Sequence, residues 1–219
     1  MATCKNCKRS GLFFSVNKYG VCNTCYSAII FETQSRFRVI DGSMKIVSDS
    51  KKTDTRLSRC DLIIVHAKEL MKFEKMGIPT TQPQPSIIVR TYEDNKLKLI
   101  KEDVTESTRL ALEKARLATT AASKVSHLSK VVLKVVDYRR IYPNESDLMT
   151  AEAKLRKVIQ EIQLSSYLND AKKAEFKGDK KKALDKYYEA LYFLQHDEID
   201  DALQTNEIED IEAKIKELS

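Results

Sequence analysis

Residues 4–30, CKNCKRSGLFFSVNKYGVCNTCYSAII, carry four of the chain's five cysteines in two pairs, Cys4-Lys5-Asn6-Cys7 and Cys22-Asn23-Thr24-Cys25. Fourteen residues separate the pairs. A two-residue gap lets a tight knuckle aim two thiolates at one metal ion while backbone amides donate to the sulfurs. Two knuckles close a tetrahedral set of four sulfurs, which selects zinc and leaves no open coordination position. The spacing therefore predicts one structural Zn2+ held by Cys4, Cys7, Cys22 and Cys25. The competing chemistries are paired disulfides, which need an oxidising compartment, and a redox dithiol, which normally shows a single pair after a strand. Cys60, the fifth cysteine, lies among apolar residues and is expected to be a buried structural thiol.

Between the pairs, Leu12-Phe13-Phe14-Ser15-Val16 and then Asn17-Lys18-Tyr19-Gly20 predict a strand, a turn and a returning strand. Tyr26-Ser27-Ala28-Ile29-Ile30-Phe31 begins a helix, whose dipole would favour thiolates at Cys22 and Cys25. This ββα order over residues 4–38 resembles the treble-clef and zinc-ribbon families. Many such modules bind nucleic acid or protein. Lys5, Lys8, Arg9 and Lys18 are the candidate nucleic-acid contacts, with Phe13, Phe14 and Tyr19 interleaved. The same residues also fit a small core with a soluble rim, and both interpretations stand at this point.

Outward from the module, composition points to helices. Five glycines and four prolines in 219 residues are few, and long helices need little of either. Hydrophobic residues at 42% and charged residues at 32% exclude the disordered and membrane classes. No apolar run reaches the roughly 20 residues that span a bilayer. The N-terminus places charges and cysteines where a signal peptide needs an apolar core, so a cytoplasmic protein without a membrane partner is expected. There is no tryptophan, and the only histidines are His66, His127 and His196. Glycine-rich phosphate loops, HExxH and nucleophile motifs are absent, so the expectation is a non-enzymatic protein.

Periodicity and punctuation divide the chain further. Residues 1–42 form the zinc module, with Gly42 at the expected end of its helix. Residues 43–77 form a helical segment in which Leu57, Cys60, Ile64, Ala67 and Met71 make a heptad seam, stopped by Gly77 and Pro79. Residues 78–104 are a proline-containing linker with a candidate β-hairpin, Ile87–Tyr92 returning as Lys96–Ile100. Residues 105–142 form one long helix, with Ala118, Ala121, Val125, Leu128, Val132 and Val135 as a second seam. The two seams offer a route to a homo-oligomer. Net charge is +7 over residues 1–60 and −7 over residues 197–219, which suits different surfaces for different partners.

Residues 143–219 complete the chain as a helical hairpin plus a C-terminal helix from Glu207 to Leu218. Counted from Leu164, the residues Tyr167, Ala171, Gly178, Ala183, Tyr187, Ala190 and Leu191 fall at positions 4, 8, 15, 20, 24, 27 and 28. That pattern resembles one tetratricopeptide repeat, in which small residues let two antiparallel helices approach. With its third helix the segment also resembles the three-helix microtubule-interacting-and-trafficking domain. Both families bind peptide segments in helical grooves. The resemblance thus implies a protein partner and makes Tyr167, Ala171, Ala183, Tyr187 and Ala190 the candidate partner-binding hairpin. The whole sequence predicts a mainly α adaptor or inhibitor, with a nucleic-acid-binding regulator as the alternative.

Overall fold

A computed structural model describes residues 2–196 and 204–219. Its helices are α1 (Asn23–Asp49), α2 (Thr53–Lys75), α3 (Pro85–Leu117), α4 (Ala121–Ile141), α5 (Ser146–Phe176), α6 (Lys180–Gln195) and α7 (Thr205–Leu218). The chain divides into two compact units, Met1–Asp103 and Val104–Ser219. The mainly α architecture is as expected. The two strands expected between the cysteine pairs are not there: among the described residues the one β interaction is an isolated antiparallel bridge, Thr3–Ser10. The backbone between the pairs closes on itself instead. Gly20 N–H donates to Asn17 O, Asn17 N–H to Val21 O, and Asn17 Oδ1 accepts from the Tyr19 and Val21 amides. Turns consume the donors that a ladder would need.

In the first unit α1 packs against α2. The α1 helix runs straight through Gly42, so that glycine ends nothing, and the boundary expected at residue 42 falls inside a helix. Gly42 is exposed, and a Cβ there would meet nothing within 4 Å. Its backbone is simply helical, and α1 ends at Ser50, whose φ of −75° and ψ of 134° are extended. Gly77 does stop α2. Its φ of 75° lets Gly77 N–H reach Glu74 O and Ile78 N–H reach Phe73 O, the paired bonds that satisfy a helix's last carbonyls. Ile78 and Phe73 are both buried in the core beside that turn.

The candidate hairpin at 87–100 is helical. Pro85 lies at the first position of α3, where its missing N–H costs no hydrogen bond. Ile88, Val89, Leu99 and Ile100 are buried, spaced eleven residues apart in each pair, which is three helical turns. Burial on one helical face outweighs the strand preference of Ile87-Ile88-Val89. The heptad residues Cys60, Ile64 and Ala67 of α2 are buried in this same core, with Leu57 and Met71 packed against it.

In the second unit α4 packs on α5, α5 on α6, and α6 on α7. The long helix expected over 105–142 is interrupted at 118–120. Thr120 leaves helical geometry, with φ −112° and ψ 146°, and its hydroxyl accepts from Ser123 N–H at 3.2 Å. A threonine that caps a new helix competes with continuing the old one. Leu128, Val132 and Val135 are buried, and so spend the second seam inside the chain. Glu152 of α5 is nearly buried and receives Arg139 from α4 at 2.5 Å and Arg156 at 2.9 Å.

The turn between α5 and α6 repeats the α2 device. Gly178, at φ 74°, lets Gly178 N–H reach Glu175 O and Asp179 N–H reach Ala174 O. Asp179 then caps α6 by accepting from Lys182 N–H at 3.1 Å. Ala171, Tyr187, Ala190 and Leu194 share one core with Ile211 and Ile215 of α7. No helix among the described residues is long and apolar enough to cross a membrane.

Candidate metal centre

The four paired cysteines converge. Their Sγ atoms all lie within 4.8 Å of one another, and Cys7 and Cys22 are 3.9 Å apart. A tetrahedral site with metal–sulfur bonds of about 2.3 Å places its sulfurs roughly 3.8 Å apart. The donor set and spacing fit a metal ion.

Local backbone geometry builds each knuckle. Cys4 N–H donates to Arg9 O, and Lys8 N–H returns to Cys4 O, with Lys8 at the left-handed φ of 62°. Cys22 is the N-cap of α1 and Cys25 sits in its first turn, so the positive end of the helix faces the sulfurs. Gly20 joins the two knuckles. Its carbonyl accepts from Lys5 N–H at 2.8 Å, and its φ is 79°. A Cβ at Gly20 would lie 2.8 Å from Cε of the exposed Lys5, whose side chain can move aside, so it is the positive φ that calls for glycine here. Val21 is fully buried beside Cys4, and Tyr19 stacks on Tyr26 with centroids 5.9 Å apart.

Electrostatics separate the sulfurs. Burial opposes ionisation of Cys4, yet amide hydrogen bonds from Cys22, Cys7 and Asn6 hold its thiol down at about 6. The Cys22 amide lies 3.3 Å from Cys4 Sγ. The Asn6 side chain favours the Cys25 thiolate, but burial and the three neighbouring sulfurs push it up to about 11. Four thiolates this close repel one another, and a divalent cation among them removes that repulsion. Cys60 is outside the four-sulfur cluster, in the core of the first unit, where burial raises its thiol above the ordinary value.

Lys5, Lys8, Arg9 and Lys18 are all exposed. The first acidic residue of the chain is Glu32, so the head carries these cations with no carboxylate in residues 1–31. Lys18 Nζ sits 5.1 Å from the Tyr19 ring centroid. Leu12 and Phe13 project fully into solvent beside them, at 84% and 103% exposure.

The repeat-like hairpin residues have a different place. Ala171, Ala183 and Ala190 are fully buried and Tyr187 is 2% exposed, so they form the contact between α5 and α6. Tyr187 OH donates to Glu175 Oε2 at 3.0 Å across that contact. Only Tyr167 of the set is partly accessible. Two features carry no sequence signal of the kind used above: the positive φ of Lys8 and the reach of Asn6 to Cys25. A third, the exposed Tyr188 and Tyr192 one turn apart on α6, was visible as an i, i+4 aromatic pair.

The chain matches no protein-family model, no curated protein and no solved structure.

Proposed function

We propose that the chain is a non-enzymatic cytoplasmic adaptor or inhibitor whose N-terminal head is folded by one structural zinc ion and docks on another protein. The observation that carries this reading is the exposed Leu12-Phe13 pair, standing beside four unopposed cations on a head organised around four convergent sulfurs. Two large apolar side chains held in water cost free energy unless a partner covers them. The cations around them complement an acidic rim, which steers encounter and fixes register. Zinc suits the site because four thiolates fill its coordination shell, so the ion supplies rigidity and leaves no position for a substrate.

The test is a pull-down with the intact, zinc-loaded protein. Leu12→Ala with Phe13→Ala should lose the captured partner, while the metal content stays at one zinc per chain. Retention of the same partner by the double variant would refute the docking role of the head.

Lys5, Lys8, Arg9 and Lys18 are exposed and have no carboxylate partner among the described residues, which supports a second reading, a regulator that contacts nucleic-acid phosphates. Such binding would weaken steeply with salt, because neutralised phosphates release counterions. Replacing Lys5, Lys8 and Arg9 with Glu would then abolish it. A sequence-specific complex that survives physiological salt and is lost in this triple variant would place this reading first.

A further inference from the structure

The second unit carries an open groove of its own, on the far side of α6 from the buried alanines. One part, of about 660 Å3, is lined by Tyr167, Tyr188, Tyr192, Phe193, Asp185 and Glu189, and ends at His196. A second part, of about 490 Å3, continues from Tyr167 and Glu189 towards Ala121 and Val125 of α4 and includes Asp170 and Lys186. Tyr188 and Tyr192 are 52% and 64% exposed, although their rings are large enough to dominate a core. Tyr167 and Phe193 meet at 5.6 Å, and Tyr192 stacks on His196 at 3.9 Å, so the rings form a preset wall.

Three carboxylates, Asp170, Asp185 and Glu189, line this wall, and two of them already hold an ammonium. Lys186 pairs with Glu189 at 2.6 Å, and Asp170 leans on Lys173 at 3.4 Å. Asp185, one helical turn from the paired Glu189, has no such cation among the described residues. A guest cation placed against it would balance that carboxylate. Aromatic faces beside carboxylates suit a guanidinium better than an ammonium, because it is planar, stacks on rings and bridges carboxylate oxygens in pairs.

We propose that this groove binds an arginine-bearing extended segment of a partner protein, with guanidinium groups stacked on Tyr188 and Tyr192 and paired with Asp185 and Glu189. The two adjoining depressions give an extended chain room for more than one side chain. The inference rests on the reading of this chain as an interaction protein, but not on its zinc head, whose own surface is cationic and apolar.

The probe is a fluorescein-labelled ten-residue peptide of alternating arginine and serine, titrated by anisotropy into the full-length, zinc-loaded protein. Saturable binding is expected, several-fold weaker for the lysine analogue and lost for the citrulline analogue. Tyr188→Ala with Tyr192→Ala should weaken it at least tenfold. Tyr188→Phe with Tyr192→Phe should stay within about threefold of the parent, since the rings remain. Asp185→Asn should weaken binding and flatten its salt dependence.

Equal affinity in the parent and the double alanine variant would overturn the proposal, and so would equal losses in the alanine and phenylalanine pairs. Self-association that the alanine pair abolishes, without peptide binding, would put a second copy's basic head in the groove and also overturn it. The two readings fail separately. Peptide binding through the tyrosines survives a failed pull-down with the head, and a partner captured through Leu12 and Phe13 survives a groove that binds nothing.

Discussion

The head of the first unit and the hairpin of the second hold their backbones in place by different means. In the first, residues 4–22 bury little besides Cys4, Val21 and Cys22, and they bring four sulfurs within 4.8 Å of one another. In the second, the α5–α6 contact is made by three fully buried alanines and Tyr187, which also donates to Glu175 across it. So short a cysteine segment cannot bury enough apolar surface to fix its own backbone, whereas helices of 31 and 16 residues can. Four convergent sulfurs mark the head as a place for a metal ion, and packed side chains hold the body.

The largest expected effect breaks the head alone. Cys22→Ser removes one sulfur from the set but keeps the backbone amide that donates to Cys4 Sγ and a residue suited to cap α1, so the loss is confined to the ligand. It should abolish metal binding and disorder residues 2–22, because site formation and folding of such a segment are one event. Far-ultraviolet ellipticity should fall only slightly, since the helices lie outside that segment. Zinc measured at one per chain in the parent and at none in the variant checks the first half. Full retention of the metal by Cys22→Ser would refute the four-sulfur site.

The body should break through volume and charge instead. Ala183→Glu or Ala190→Glu drives four extra heavy atoms, three of them a carboxylate, into a fully buried contact. Overpacking and desolvation together should cost several kcal/mol, enough to melt the hairpin. Lys180→Ala and Lys181→Ala, at exposed positions on the first turn of α6, should stay within about 0.5 kcal/mol of the parent. Thermal melts of the four variants decide this, and equal stability would mean that the alanines do not hold the hairpin.

An intermediate effect lies at the α4–α5 contact. Burial raises the Glu152 carboxyl, but hydrogen bonds from Arg139 and Arg156 outweigh it and hold it below the usual carboxylate range. A depressed carboxyl contributes stability that is present above its unfolded value of about 4.3 and is lost as pH falls through the lower folded value. Glu152→Gln should therefore cost about 2 kcal/mol at neutral pH, where it strands two guanidinium groups. It should cost little in acid below the lowered folded value, where the parent has lost the same interaction. Melts at the two pH values should converge for parent and variant only in acid. Glu32 is likewise held low, by burial outweighed by Arg36 and Lys72, but its side chain is more exposed and its share of the acid lability is smaller.

How much of this was legible in the sequence follows from the same contrast. Cysteine spacing and glycine turns are local chemistry, so the four-sulfur cluster and the stops at Gly77 and Gly178 could be found from neighbours in the chain. The β-hairpin at 87–100 failed because β-branched residues report a local preference, while the eleven-residue spacing of Ile88 with Leu99 and of Val89 with Ile100 reports the tertiary face that overrides it. The strands between the cysteine pairs failed for another reason. Alternation of apolar residues is silent on whether backbone donors will meet a partner strand or the Asn17 side chain. The groove on α6 escaped because a periodic pattern identifies the face that is buried, and says nothing of which exposed side chains converge.

The smallest expected effect sharpens the comparison at Gly42. The sequence places this glycine where a helix could end, but α1 continues through it and a Cβ would touch nothing. Glycine in an exposed helix interior costs roughly 0.5–1 kcal/mol relative to alanine, mostly through the freedom it gives the unfolded chain. Gly42→Ala should therefore stabilise α1 by that amount and slow amide exchange at residues 40–47 about two- to fivefold. Gly42 lies 17 residues beyond Cys25, about 25 Å along the helix, so the gain should not depend on the metal. Exchange measured with zinc present and after chelation gives the decisive difference. An equal gain in both states means that α1 beyond the head is held by its packing on α2. A gain that vanishes on chelation would mean that the four-sulfur site organises the whole helix, and the division between a metal-built head and a packing-built body would then have to move at least as far as Asp49.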